Sequence, residues 1–459
     1  MQQTHCRVVP RRRAPRWARA LPLVGLLVLA LGGCTWAGAG GGTGDGTVTV
    51  AIVANPQMRD IQELSAEFER DHPDIKVRYV TLPENEARAR ITQDVATKAG
   101  QFDVVMIGTY EAPIWGRNEW LTDLSPYTRA DREYDVDDLM PAVRKGLSVG
   151  KKLYAVPFYG ESSFLMYRKD LFEQAGLEMP ERPTWTQVAE FARALNTPDR
   201  AGICLRGLPG WGEQLAPLNT VINTFGGRWY DEDWNAQLTS PETTRAVTFY
   251  LDLIKEAGEP GAPNAGFSEC LTAYSQGQAA MWYDATVAAG SLEDPKVSNV
   301  VGKNGYVAAP VMETEWSGWL WAWSLAVPTT AKDPDAAWEF VSWATSKEYI
   351  RMVGERLGWT RVPPGSRLST YEIDDYVKAS SGAAEVTLDA LRTIDPNRAT
   401  KDPVPYTGIQ YVQIPEFQDL GTRVSQQFAA VLAGNQTVEE ALETAQSEAE
   451  AVAEDGYKD

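Results

Sequence analysis

Between Thr47 and Gly108 two hydrophobic periods alternate so regularly that few folds can hold them. TVTVAIVA (residues 47–54) is β-branched and reads as a strand, and the segment after it puts Ile61, Leu64 and Phe68 on one helical face. DIKVRYVT (74–81) is a second strand, Glu86 to Lys98 a second helix with Ile91 and Val95 inward, and FDVVMIG (102–108) a strand apolar on both faces. A strand that buries both faces must lie in a sheet covered by helices, and strands separated by helices pair in parallel. The spacing predicts an α/β fold on parallel sheets.

The chain then repeats this pattern. KLYAVPFY (152–159) and SFLMYR (163–168) read as strands flanking Gly160-Glu161-Ser162, followed by a helix over 185–195, a strand over 202–206, a helix over 243–257 and strands over 279–283 and 305–310. Asp333-Pro334 can cap and open a further helix. A length of 459 residues exceeds one ordinary core, so two α/β lobes joined by several crossings are the simplest arrangement. The segment WSGWLWAWSLAV carries Trp316, Trp319, Trp321 and Trp323. In a strand the last three point one way at intervals of ~6.8 Å. Taken alone such a strand reads as core.

Arg11, Arg12, Arg13, Arg16 and Arg19 precede an apolar run, Leu21 to Leu31, that ends at Gly32-Gly33-Cys34. A basic segment, a short apolar segment and small residues before a cysteine resemble a bacterial lipoprotein signal over 1–33, with Cys34 as the lipidated residue and the Gly/Ala-rich stretch 34–46 as a flexible tether. The first 33 residues hold six arginines and no acid, so the remainder has 37 basic and 62 acidic residues, a net charge of −25 against −19 for the whole chain. Such a surface argues against nucleic acid or anionic lipid as a partner. With two histidines in the chain, His5 and His72, a histidine-rich metal site or a Ser-His-Asp triad has almost no material. Cys204 and Cys270 permit a disulfide and equally two buried free thiols.

The segments GTYEAPIW (108–115), PFYGESS (157–163), GICLRG (202–207), MWYDATV (281–287), Trp319 to Leu325, PVPY (403–406) and TVEEAL (437–442) resemble the extracellular solute-binding proteins of ABC importers, in the maltose-type group and most closely its sorbitol/mannitol branch. The resemblance implies a two-lobed periplasmic-binding-protein fold. Each lobe would hold a mostly parallel sheet flanked by helices, with the ligand cleft at the hinge. It places the first lobe at 47–157 with 311–358 and the second at 158–310 with 359–459, bounds that make Trp319 and Trp321 cleft walls, Trp323 lobe core and Trp316 a loop residue. It further implies a monomer that is not an enzyme, uses no cofactor and binds no metal, captures a polyol or a mono- or disaccharide, and is held on the outer face of the cytoplasmic membrane through Cys34. Its partners would be permease subunits with a separate ATPase, in keeping with the lack of a phosphate-binding loop in this sequence.

In open parallel sheets ligands sit outside the carboxyl ends of strands. That selects Asn55 and Gln57 after the first strand, Thr109, Tyr110 and Glu111 after the apolar strand, and Arg206, Trp211 and Asp284 in the second lobe; the lobe layout that the resemblance implies adds Tyr159, Glu161 and Ser162 at the lobe crossing and Arg361 with Trp319 and Trp321 beside the hinge. Carboxylates accept from paired hydroxyls, Arg and Asn donate to them, and aromatic rings take the C–H edges. Other roles are open to several of them: Glu111 as a surface carboxylate, Asp284 as a helix cap, Arg206 in an ordinary ion pair, Arg361 as a bridge between lobes. Converging carboxylates also fit a glycosidase, and an exported lipoprotein without a hinged cleft would be structural.

Overall fold

The computed structural model describes residues 46–458. The signal and Cys34 lie outside them. Five strands form the first sheet in the order β2-β1-β3-β10-β6: β1 Thr47–Val53, β2 Lys76–Leu82, β3 Val104–Ile107, β6 Val156–Glu161 and β10 Trp321–Ala326. Strand β1 runs parallel to β2 and β3, as the periodicity predicts, whereas β10 lies antiparallel to both β3 and β6. Two short strands, β4 Ser148–Val149 and β5 Lys152–Leu153, form a separate hairpin. Helix α1 (Pro56–Asp71) starts on a proline that fits its first turn and ends at His72, whose ring stacks on Phe68 at 4.4 Å. Helix α2 (Glu84–Thr97) follows β2, and α3 (Glu111–Arg117) follows β3.

The second sheet has the order β8-β7-β9, with β7 at Ser163–Arg168, β8 at Met281–Ala285 and β9 at Asn304–Ala308. Both pairings are antiparallel. The fold class holds, but the sheets are mixed rather than mostly parallel. Both neighbours of β7 come from more than a hundred residues further along the chain, so a local strand–helix pattern carries no information on their direction. The stretch 202–206 is not a strand: it touches β8 through the parallel bridge Cys204↔Trp282. A Cβ at Gly202 would lie 1.9 Å from the carbonyl oxygen of Ala192, so this segment is fixed by close approach to the helix Trp185–Leu195.

The chain crosses from the first sheet to the second at Ser162, between β6 and β7. The boundary expected at 157/158 therefore falls inside β6. On the return, Val311 still bonds Pro183 and Glu313 bonds Thr224, so the chain rejoins the first sheet only at Trp321. Residues 361–369 also belong with the first sheet's half: Arg367 donates to Tyr134 O and Thr345 O at 2.8 Å each, and Gly160 N donates to Pro364 O at 2.9 Å. Cys204 and Cys270 are bonded, with Cα atoms 5.7 Å apart, inside a small core with Trp282 and Tyr274.

Candidate functional site

Strand pairing between β6 and β10 builds the site. Trp321 lies opposite Glu161 and Trp323 opposite Tyr159, so indoles, phenol and carboxylate share one face, and a register shift after Trp323 ends the pattern. Asn55, just beyond β1, donates from Nδ2 to Tyr159 Oη at 2.6 Å. Glu84 and Arg88 from α2, Arg206, Trp211 and Phe267 from the other half, and Trp319, Trp321, Trp323 and Gln410 complete a cavity. It contains about 460 Å³ of space, part of it continuous with solvent.

Two guanidinium groups are built into the walls. Arg88 donates from Nε and Nη2 to Glu84 Oε1 at 3.0 and 2.9 Å, and from Nη1 to Glu111 Oε1 at 2.6 Å. Its central carbon lies 4.1, 4.9 and 4.6 Å from the ring centroids of Trp211, Trp321 and Trp323. Arg206 grips Asp284 with both prongs, Nε to Oδ2 at 2.8 Å and Nη2 to Oδ1 at 2.5 Å, and donates from Nη1 to Gly212 O at 2.9 Å. Asp284 also accepts from Trp282 Nε1 at 3.0 Å and Ala285 N at 2.6 Å. Burial works against the charge on Arg206, but the carboxylate of Asp284 more than offsets it and holds the guanidinium above its ordinary pKa.

Glu161 differs from every other acid in the wall. It is 6 % exposed, and its carboxylate has no hydrogen-bond partner among the described residues. Burial, opposed by Arg206 and Arg88 and reinforced by Asp284 and Glu84, pushes its carboxyl up to about 8. Glu213, behind Arg206, is pushed up to about 7 by burial and by Glu84, against the pull of Arg206. Three further wall residues carry buried polar atoms without partners: Nε1 of Trp211, Nε1 of Trp319 and Oε1 of Gln410. Two indole donors and one amide acceptor thus stand unsatisfied on residues that wall the same space as the Glu161 carboxyl.

Of the residues selected from the sequence, Asn55, Tyr159, Glu161, Arg206, Trp211, Trp319 and Trp321 line this cavity, and the other seven do not. Glu111 is buried and structural, accepting from Arg88 and from Gly108 N at 2.9 Å. Asp284 orients Arg206 from behind and caps no helix. Gln57 faces a separate pocket beneath the crossings, with Thr286 and Trp359. Arg361 bridges to Asp60 on α1. The hydroxyl of Ser162 is buried without a partner at the crossing, and Thr109 and Tyr110 bond the segment 411–418. Trp323 corrects the expectation in the other direction: the indole assigned to the lobe core also faces the cavity.

Glu84, Arg88, Phe267, Val287 and Gln410 line the site without having been selected. Arg88 had a readable signal. At i and i+3 it shares the inward stripe of α2 with Ile91, and a charge on an apolar stripe must find buried partners.

Comparison with known proteins places this geometry among transport components. The family described as bacterial extracellular solute-binding protein matches residues 55–350. A mannitol-binding protein of Pseudomonas aeruginosa is 47% identical over 403 residues, which is 87% of this chain and 91% of that one. The crystal structure of an ABC transporter solute-binding protein from Agrobacterium vitis, with bound D-mannitol, superposes with a TM-score of 0.88 at 49% identity, covering 90% of this chain and 99% of that one. A solute-binding protein from Agrobacterium radiobacter in complex with ribitol is similar at 26% identity and a TM-score of 0.78, covering 88% and 98%.

Proposed function

Because this chain belongs to the bacterial extracellular solute-binding protein family, we propose that its cavity captures an acyclic polyol of the mannitol type and that capture closes two lobes around it. Members of the family receive solutes for ABC import and catalyse nothing, so the converging carboxylates here serve recognition and not glycoside cleavage. The observation that carries the ligand class is the likeness to two mannitol binders, supported by the cavity-wall carboxyl of Glu161 and the unsatisfied groups on Trp211, Trp319 and Gln410. A polyol has no flat ring face. Its hydroxyls, each donor and acceptor, meet carboxyl, amide and indole N–H, while the indole and phenyl faces exclude water around its carbons.

The lobes of this reading are the halves built on the two sheets, joined at Ser162, at the return before Trp321 and after residue 372. A solute touching both binds the closed arrangement better than the open one and shifts the population toward it. The closed form then docks on the membrane permease, with ATP hydrolysed by a separate subunit. Lipidation of Cys34 would hold the protein at the outer membrane face, and loss of acyl labelling on Cys34→Ser is its check. Among the described residues no helix is long and apolar enough to cross a membrane.

Isothermal titration against mannitol, sorbitol, arabitol, xylitol, maltose and trehalose is the test. Tightest binding is expected from a hexitol. Binding of a disaccharide with no response to any polyol would overturn the ligand assignment.

The same titrations give a sign for pH. In the closed cavity without solute, burial pushes the Glu161 carboxyl up to about 8, whereas ligand hydroxyls donate best to the ionised form and pull its pKa down. Binding then expels a proton, and affinity rises from pH 6 to pH 8 by up to about tenfold per unit. Glu161→Gln is expected to bind about 10- to 100-fold more weakly at pH 8, the value of hydrogen bonds to a charged group. It should also lose this part of the pH slope while keeping any contribution from Glu213. Equal slopes in the two proteins would show that Glu161 does not titrate on binding.

A further inference from the structure

Thr109 and Tyr110 stand at the carboxyl end of β3, where the fold places ligand contacts, yet neither lines the cavity. Their polar groups are held by the other half of the molecule. Tyr110 Oη donates to Ile414 O at 2.9 Å and accepts from Gln418 N at 3.1 Å. Gln413 Nε2 donates to Thr109 O at 2.9 Å, and Tyr411 Oη donates to Thr109 Oγ1 at 3.1 Å.

The segment that receives these bonds is fixed to the second half. Asn219 Nδ2 donates to Gln410 O at 2.8 Å and Asn223 Nδ2 to Ile409 O at 2.9 Å. Thr220, on the same helix as those asparagines, is bonded to Tyr283 of β8 at 2.7 Å between their hydroxyl oxygens. Phe417 packs 5.0 Å from Trp229. The ring of Tyr110 lies 4.8 Å from Trp211, which does line the cavity. The Tyr110 hydroxyl therefore joins a first-half strand end to a second-half loop immediately beside the ligand space.

We propose that Tyr110, with Thr109, is an affinity-determining latch that never touches the solute: the bonds of Tyr110 to Ile414 and Gln418 and of Thr109 to Gln413 form as the lobes close and stabilise the closed arrangement alone. The proposal rests on the two-lobe reading above. Interactions present in one state only act through the fraction of protein in that state, so apparent affinity falls in proportion to the closed population they maintained.

Tyr110→Phe keeps the ring against Trp211 and removes the hydroxyl. Mannitol is expected to bind about tenfold more weakly, as two neutral hydrogen bonds are worth, and to dissociate faster. The melting temperature of the ligand-free protein should stay unchanged, because the open form does not make these bonds. The scattering radius at saturating mannitol should match that of the wild type. Gln413→Ala should move affinity in the same direction, again without lowering the ligand-free melting temperature. A lower ligand-free melting temperature with affinity within twofold of the wild type would show a structural hydroxyl and overturn the latch. A wild type that binds no polyol would sink the polyol assignment instead. The latch would then be judged by the same comparison, using whichever sugar of the panel gives the thermal shift.

Discussion

Replacing Arg206 by alanine is expected to lower folding stability by about 3 to 5 kcal/mol and to abolish measurable polyol binding. The side chain of Arg206 is 5 % exposed and that of Asp284 0 %, and the pair is bidentate. Removing the guanidinium leaves a carboxylate inside the protein with only Trp282 Nε1 and Ala285 N to hold it. It also leaves the carbonyl of Gly212 without its donor. The charge cannot be discharged cheaply, because desolvation of an ion is compensated only by its partner.

Two further variants separate the stability term from the recognition term. In Arg206→Ala with Asp284→Ala both charges are gone, so urea unfolding should recover most of the lost stability while binding stays absent, because the wall no longer presents a guanidinium to the solute. In Arg206→Lys a point charge replaces a planar fork, so the bidentate geometry is lost and both quantities should fall between wild type and Arg206→Ala. If the double variant were as unstable as the single one, the pair would not be the source of the effect. Native affinity in Arg206→Ala would remove Arg206 from the site.

Alternation of periods was enough to locate β1, α1, β2, α2 and β3, because each is a local pattern on one stretch of chain. It could not give the direction of β7, β8 and β9, whose pairing joins residues from 163 to 308. The site divides the same way. Tyr159, Glu161 and Trp321 share the cavity face through strand alternation, which is a local pattern, whereas Trp323, expected in the lobe core, faces the cavity as well. Glu111 lies outside the cavity lining: the rule that ligands meet strand ends does not say whether a buried cation has already claimed the carboxylate. Tyr110 does not line the cavity, and its hydroxyl partner lies 304 residues away, a contact with no local trace. Arg88 carries a local signal in its position on the inward stripe with Ile91, which marks it as buried.

Arg88→Ala is the second large effect, expected at about 3 to 5 kcal/mol in stability, with a loss of at least about a hundredfold in affinity. Three losses coincide at this residue. Glu111, 3 % exposed on its side chain, keeps only the Gly108 amide as a donor. Glu84, 12 % exposed, loses both bonds to the fork and keeps the like charge of Glu213 close by. Trp211, Trp321 and Trp323 lose the flat cation against which their rings are set, each such contact contributing about 0.5 to 2 kcal/mol. Arg88→Lys should rescue little, since an ammonium cannot reach both carboxylates and face three rings at once. Chemical unfolding and mannitol titration of Arg88→Ala, Arg88→Lys and Arg88→Ala with Glu111→Gln give the reading. The double variant should be more stable than Arg88→Ala, because its buried group no longer carries charge, yet no better at binding. If Arg88→Lys bound as the wild type does, the planar fork would be irrelevant, and the tryptophans would be wall without cage. If it does not, the indole excess around β10 has a definite cause. The rings surround a guanidinium held at the cavity wall by two carboxylates, and packing of the sheet accounts for only part of their burial.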